Sequence, residues 1–343
     1  MKKLLNTLYV TTQKSYLGKD GETVSVYRDG KVVARIPVHT LSGIVCFGNV
    51  GMSPFLMGFC GEKEVGVSFL TERGRFLARV AGPVSGNVLV RRTQYRLADE
   101  PDESAELARS CVIGKVANCR AVLSRALRDH RDKLDADAVQ EATTRLKATL
   151  KELATPRPLD TVRGLEGDAA RAYFGVLDHL IITNKDTFCF KGRSRRPPQD
   201  MVNAMLSFVY TLLVHDVRSA LEAMGLDPAV GFLHRDRPGR PGLALDMMEE
   251  FRAFVADRLV LSLINQRQVS PSGFQTLDSG AVVMDDSTRK VVITAYQDRK
   301  QDEVCHPFLK EKAKIGQLFF VQAQLLNRYF RKDLDGYPPF VWR

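Results

Sequence analysis

Val24-Ser25-Val26-Tyr27-Arg28-Asp29-Gly30-Lys31-Val32-Val33-Ala34-Arg35-Ile36 sets two runs rich in β-branched residues on either side of Asp-Gly. A two-residue type I′ turn needs positive φ at both central positions, which Asp-Gly tolerates, so the stretch predicts a β-hairpin. Working outward, the chain start through Tyr9 reads as a first strand and Ile44-Val45-Cys46-Phe47 as another. Residues 65–70 and 75–80 read as a second hairpin. Ser53 ahead of Pro54 predicts a short capped helix over 53–61. Gly82-Pro83 and Gly86 then mark a boundary.

Beyond it, apolar and charged residues recur at three- and four-residue spacing, predicting helices over 88–97, 103–131, 136–154, 165–182, 198–224, 243–269 and 318–329. The fold class is α+β: a small N-terminal β domain, residues 1–87, followed by a larger all-α domain, residues 88–343. Residues 184–198 form a basic loop carrying Lys185, Lys191, Arg193, Arg195 and Arg196. Residues 280–296 alternate like a small hairpin around Asp285-Asp286-Ser287-Thr288. Prolines keep Gly336-Tyr337-Pro338-Pro339-Phe340-Val341-Trp342-Arg343 from being helical, so it is expected to dock as an extended segment.

The chain has 343 residues, 44% of them hydrophobic, which supports real cores and excludes a disordered protein. Its 50 Lys+Arg against 40 Asp+Glu leave a net charge of +10, which suits an anionic partner or an ordinary basic protein. No run approaches the ~18 apolar residues of a membrane span, and polar residues interrupt the start too early for a secretory signal. The six cysteines contain no CxxC pair; they are expected to be reduced, buried thiols in a cytosol, with no zinc or iron–sulfur site.

The chemistry-bearing stretch is Gly231-Phe232-Leu233-His234-Arg235-Asp236-Arg237-Pro238-Gly239-Arg240-Pro241-Gly242-Leu243-Ala244-Leu245-Asp246-Met247-Met248-Glu249-Glu250-Phe251-Arg252. It joins one imidazole, an arginine-bearing Gly/Pro loop and an acidic helix. Asp246 and Glu249, three apart, project from one side of that helix. Glu166 lies upstream on a face shared with Val162, Ala170 and Tyr173. An imidazole with carboxylates makes an open site for Mg²⁺ or Mn²⁺, the nitrogen favouring Mn²⁺. Plainer readings stand beside this one. Glu166 has Arg163 and Arg171 nearby as salt-bridge partners, and Asp246 with Glu249 suits a solvated acidic face at a helix start.

Three motifs carry a resemblance to a known family. They are Leu165-Glu166-Gly167-x-Ala169-Ala170-x-x-Tyr173-Phe174, Gly225-Leu226-Asp227-Pro228-x-x-Gly231-Phe232-Leu233-His234, and Arg237-x-Gly239-Arg240-Pro241-x-Leu243-Ala244-Leu245-Asp246-x-Met248-Glu249-Glu250-Phe251-Arg252. Together they resemble the first CRISPR-associated protein, Cas-one, the integrase-endonuclease of the spacer-acquisition module. The resemblance covers essentially the whole chain, and its length and basic insertion look like a type I-C relative.

The resemblance implies a metal triad of Glu166, His234 and Glu249, with Asp246 as an auxiliary acid and Arg252 as a basic position near DNA. It departs from the family at Gly242, often Ser, and at Ala253, often Pro. It also implies that the β domain serves dimerisation, that two homodimers are bridged by Cas-two, and that an iron–sulfur nuclease, Cas-four, joins in some subtypes. The reaction implied is attack by the 3′-hydroxyl of a short donor duplex on a phosphodiester at a repeat boundary; water in its place gives nuclease activity. Arg193, Arg195, Arg196, Arg235, Arg240 and Arg252 are candidate contacts to double-stranded DNA. Two other readings stay open: a non-catalytic DNA-binding or assembly protein, and a general divalent-metal nuclease.

Overall fold

The computed structural model describes residues 6–63, 65–72, 76–80, 82 and 88–342. Pro83 and Gly86, the rest of the expected boundary, lie outside the described residues. The N-terminal region contains β1 (Asn6–Val10), β2 (Tyr16–Asp20), β3 (Thr23–Arg28), β4 (Lys31–Pro37), β5 (Leu41–Phe47), β6 (Gly51–Met52), α1 (Pro54–Glu62), β7 (Gly66–Leu70) and β8 (Phe76–Val80). They form two four-stranded sheets ordered β4-β3-β2-β6 and β1-β5-β7-β8. Asp29 and Gly30 have φ of 49° and 74°, the positive pair that the β3–β4 turn requires. Ser53 Oγ accepts from Leu56 N and caps α1.

Strand periodicity gives the second sheet two buried faces. Ile44 and Cys46 pack with Leu17, Val24, Leu56 and Val67 in the β core. Val45, Phe47 and Leu70 point the other way and join the helical core. Buried Lys300 closes this junction, with Nζ 2.8 Å from Asp216 Oδ2 and 3.3 Å from Thr7 Oγ1 of β1.

The helical region comprises α2 (Val88–Asp99), α3 (Pro101–His130), α4 (Ala136–Glu152), α5 (Leu159–Gly175), α6 (Met201–Ala223), α7 (Gly242–Phe251), α8 (Arg258–Asn265), β9 (Phe274–Thr276), β10 (Val282–Met284), α9 (Asp286–Gln301), β11 (Glu303–Cys305), β12 (Lys312–Lys314) and α10 (Ile315–Phe330). The 30-residue α3 is the central strut, packed against α4, α5 and α7. No helix among the described residues is long and apolar enough to cross a membrane.

Several local expectations are corrected. The helix expected over 165–182 starts at Leu159 and ends at Gly175, followed by a 3-10 turn over Leu177–Leu180. Gly164 and Gly167, which bracket Glu166, both lie within it. The helix expected over 243–269 is interrupted by a π-helical segment, Arg252–Asp257, between α7 and α8. The expected hairpin over 280–296 is displaced: β10 pairs back to β9, and Asp285 accepts from Thr288 N as the cap of α9. The Asp-Asp-Ser-Thr run is helix-cap chemistry rather than a turn. Cys189 and Cys305 are exposed, unlike the other four cysteines.

The tail lies extended across α3 and α7, as its prolines require. Tyr337 Oη donates to Glu250 Oε1 at 2.7 Å and Phe340 N to Glu250 Oε2 at 2.8 Å. Trp342 N donates to Asn118 Oδ1 at 2.7 Å. The fully buried Phe340 ring lies 5.7 Å from Phe251 and 5.4 Å from Phe254. Phe340→Ala is expected to cost about 3–5 kcal/mol by leaving a cavity there, read as a lower urea midpoint with an unchanged slope.

Candidate active site

The segment ending at His234 is held from three directions. Buried Gln94 on α2 donates to Asp227 O (2.8 Å) and Val230 O (3.0 Å) and accepts from Asp227 N (3.0 Å). Arg163 Nε of α5 donates to Leu233 O at 2.9 Å. Asp246 of α7 takes the remaining donors: Oδ2 accepts from Phe232 N (2.6 Å) and Leu233 N (2.9 Å), and Oδ1 from His234 N (3.0 Å). Glycine allows this closeness, since a Cβ on Gly231 would meet Gly242 C at 2.6 Å, and one on Gly242 would meet Ala229 O at 2.7 Å. The serine that the resemblance leads one to expect at 242 would force this junction apart.

Asp246 Oδ1 also lies 2.6 Å from His234 Nδ1. A carboxylate can only accept, so Nδ1 carries the proton, and in the neutral ring the lone pair is on Nε2. Asp246 is therefore a fully buried positioning group. The expected solvated acidic face is wrong here: Asp246, Glu249 and Glu250 are all buried.

Glu166 and Glu249 meet on a residue that sequence reading passed over, Lys115 of α3. Its Nζ bonds Glu166 Oε1 and lies 2.8 Å from Glu249 Oε2. Arg163 instead pairs with Asp160, and Arg171 with Asp168, so neither expected salt bridge to Glu166 forms. Glu249 Oε1 accepts from Arg252 Nη1 at 2.6 Å, while among the described residues Oε2 has only the ammonium beside it. Burial pushes the Glu249 carboxyl up, but Arg252 and Lys115 outweigh it and hold it well below the usual range. Lys115 was legible only as a lysine on a face otherwise made by Cys111, Val112, Cys119 and Val122.

Glu250, next in the chain, is the opposite case. Burial raises its carboxyl to about 8, despite hydrogen bonds from Phe340, Tyr337 and Gln322. A carboxyl with a raised folded pKa stabilises the fold most below its unfolded value of 4.5 and loses that contribution as pH rises through about 8. The melting temperature is therefore expected to fall across that window and level off above it. Glu250→Gln should flatten the fall; an unchanged profile in that variant would disprove the assignment.

The six arginines expected at DNA divide into two groups. Arg193 turns inward: it donates to Asn203 Oδ1 (2.6 Å) and Ser207 Oγ (3.0 Å), and its guanidinium lies 5.3 Å from the Tyr210 ring. Arg252 is buried between Glu249 and the Tyr210 ring, 4.4 Å from the ring centroid. Buried Asp257 receives the Tyr210 hydroxyl, so the π-helical segment presents both its charged ends to one tyrosine. Arg195, Arg196 and Arg235 are exposed and Arg240 is partly so. Burial and neighbouring Arg237, Arg196 and Arg195 push the Arg240 guanidinium down, so the two basic loops lie close enough to repel. Such a cluster favours an incoming anion.

Among the described residues, no three His, Cys, Asp or Glu side chains stand close enough to enclose a metal ion. The donor set nonetheless fits a hard divalent ion. Two carboxylates converge on one positive charge, one of their buried oxygens lies against that charge, and the His234 imidazole, oriented by Asp246, is within electrostatic reach of Glu249. The Lys115 ammonium stands between the two carboxylates.

The family model for CRISPR associated protein Cas1 matches residues 8–298. The chain belongs to the Cas1 family. A CRISPR-associated endonuclease Cas1 of Chlorobaculum tepidum is 57% identical over 343 residues, covering 100% of both chains. Among solved structures similar to this Cas1-family chain, a casposase bound to integration product superposes with a TM-score of 0.84 at 20% identity, covering 99% of this chain and 95% of that one. A Cas6-RT-Cas1–Cas2 complex superposes with a TM-score of 0.82 at 22% identity, covering 100% of this chain and 36% of that one. These likenesses show a shared Cas1 fold.

Proposed function

We propose that this Cas1-family chain is a divalent-metal-dependent DNA integrase-endonuclease that inserts short foreign segments into a CRISPR array. The observation that carries the reading is the convergence of Glu166 and Glu249, from two helices, on one cation beside His234 and four outward arginines. The relative from Chlorobaculum tepidum bears the name endonuclease, and the casposase structure holds an integration product; both agree with the proposal. Glu166, His234 and Glu249 would hold Mg²⁺ or Mn²⁺. That ion would lower the pKa of an attacking 3′-hydroxyl and neutralise charge on the phosphorus.

The chain's own residues do the rest. Asp246 holds the His234 ring in orientation and tautomer. Arg252 keeps Glu249 ionised. Arg195, Arg196, Arg235 and Arg240 receive phosphates, while Arg193 and Arg252 support the site from within. The proposed partners are double-stranded DNA, a second copy of the chain, Cas2 bridging two such dimers, and Cas4 where present, all in the cytoplasm. The β region serves dimerisation, and a type I-C assignment rests on length and the 184–198 insertion.

The test is product analysis with a labelled short duplex and a repeat-containing target, with Mn²⁺ or with chelator. A metal-dependent joined product is expected. Cleavage without joining would make the chain a general nuclease, and neither would leave a DNA-binding assembly protein. Replacing Arg195 and Arg196 together with alanine is expected to weaken DNA binding and to reduce the salt dependence by about two phosphate contacts' worth of slope. A filter-binding series over salt concentration checks this, and an unchanged slope would remove both residues from the interface.

A further inference from the structure

We propose that the Lys115 ammonium is a built-in occupant of the cation position: it holds Glu166 and Glu249 together in the metal-free protein, and a divalent ion binds by displacing it. The inference rests on the reading that those carboxylates and His234 are metal ligands.

Lys115 is only 5% exposed and sits in the middle of α3, where a lysine would ordinarily face water. Its Nζ joins one carboxylate from α5 and one from α7 and so ties three helices at a point. Burial works against the charge, but Glu249 and Glu166 more than restore it, so the ammonium stays protonated. Within the ion-paired group, Glu166 and Glu249 are balanced by Lys115 and Arg252. Adding a dication to a neutral, largely buried group would leave two positive charges uncompensated, which is costly. Withdrawal of one ammonium offsets part of that cost.

Lysine is the member able to withdraw. Its charge is a compact point on a flexible four-carbon stem. Arg252 is fixed by a hydrogen bond to Glu249 and by the face of Tyr210. The exchange is ion for ion: no covalent bond breaks and Lys115 keeps its proton. The consequence is a metal affinity held down by an internal competitor, and a metal-free fold that does not fly apart through carboxylate repulsion.

The test titrates the full-length protein with MnCl₂ in the absence of DNA, by calorimetry, and measures melting in EDTA. Lys115→Met is expected to melt lower than native in EDTA yet bind Mn²⁺ about tenfold or more tightly. Lys115→Arg, whose planar fork grips both carboxylates, should bind Mn²⁺ about tenfold or more weakly. Native-like or weaker Mn²⁺ binding by Lys115→Met overturns the proposal. If Lys115→Met does not fold, Lys115→Arg decides, and native affinity there overturns it. Failure of native and Lys115→Met proteins alike to bind Mn²⁺ sinks the metal reading as well. Binding by native protein with both variants unchanged sinks only the role of Lys115.

Discussion

Glu166→Ala is expected to lose strand joining by on the order of a thousandfold or more while keeping its fold. The Glu166 side chain is 26% exposed, so its removal leaves little cavity, and Lys115 retains Glu249 as a partner. The effect therefore falls on chemistry rather than on folding. Circular dichroism should match the native protein and melting should fall only modestly, while the joined product on a gel disappears. Equal product from native and variant would end the enzymatic reading as drawn.

Asp246→Ala is the second large effect, and it should strike both properties. The carboxylate accepts from three consecutive backbone N–H groups and from the His234 ring. Alanine leaves those buried donors without a partner, at a cost of about 3–5 kcal/mol. The imidazole also loses what fixes its tautomer. Loss of joining with an earlier denaturation midpoint is expected. Asp246→Asn, which keeps the volume but offers one acceptor oxygen, should fall between alanine and native. A native-like midpoint in Asp246→Ala would refute the positioning role.

The legible parts of the molecule were those decided locally. Asp29-Gly30 and Ser53-Pro54 each carry their backbone conformation in their own chemistry, so the β3–β4 hairpin and α1 were readable. So were Glu166, His234, Asp246 and Glu249 as residues worth watching, since an imidazole and carboxylates near an arginine loop are chemically unusual. Their partners were not readable. Lys115 lies 51 residues from Glu166, and only packing of α3 on α5 and α7 brings it there. The inward turn of Arg193 and Arg252 likewise depends on where the Tyr210 ring stands, which no local pattern encodes. The displaced hairpin near Asp285 failed for a different reason: the same acidic and hydroxyl residues serve turns and helix caps, and only Thr288 N decides between them.

The π-helical segment between α7 and α8 has a consequence for how this gene can vary. Its winding accommodates one residue more than an α-helical turn would, so the surplus is absorbed locally and α8 keeps its register on the core. Dropping a single codon between positions 252 and 257 would let the segment rewind as α-helix with little rotation, whereas adding one would turn α8 by about 100° relative to α7. Leu259, Leu263 and Ile264 would then leave their places in the interior. Loss of one residue here can be survived by rewinding, whereas a further insertion displaces the packed face of α8.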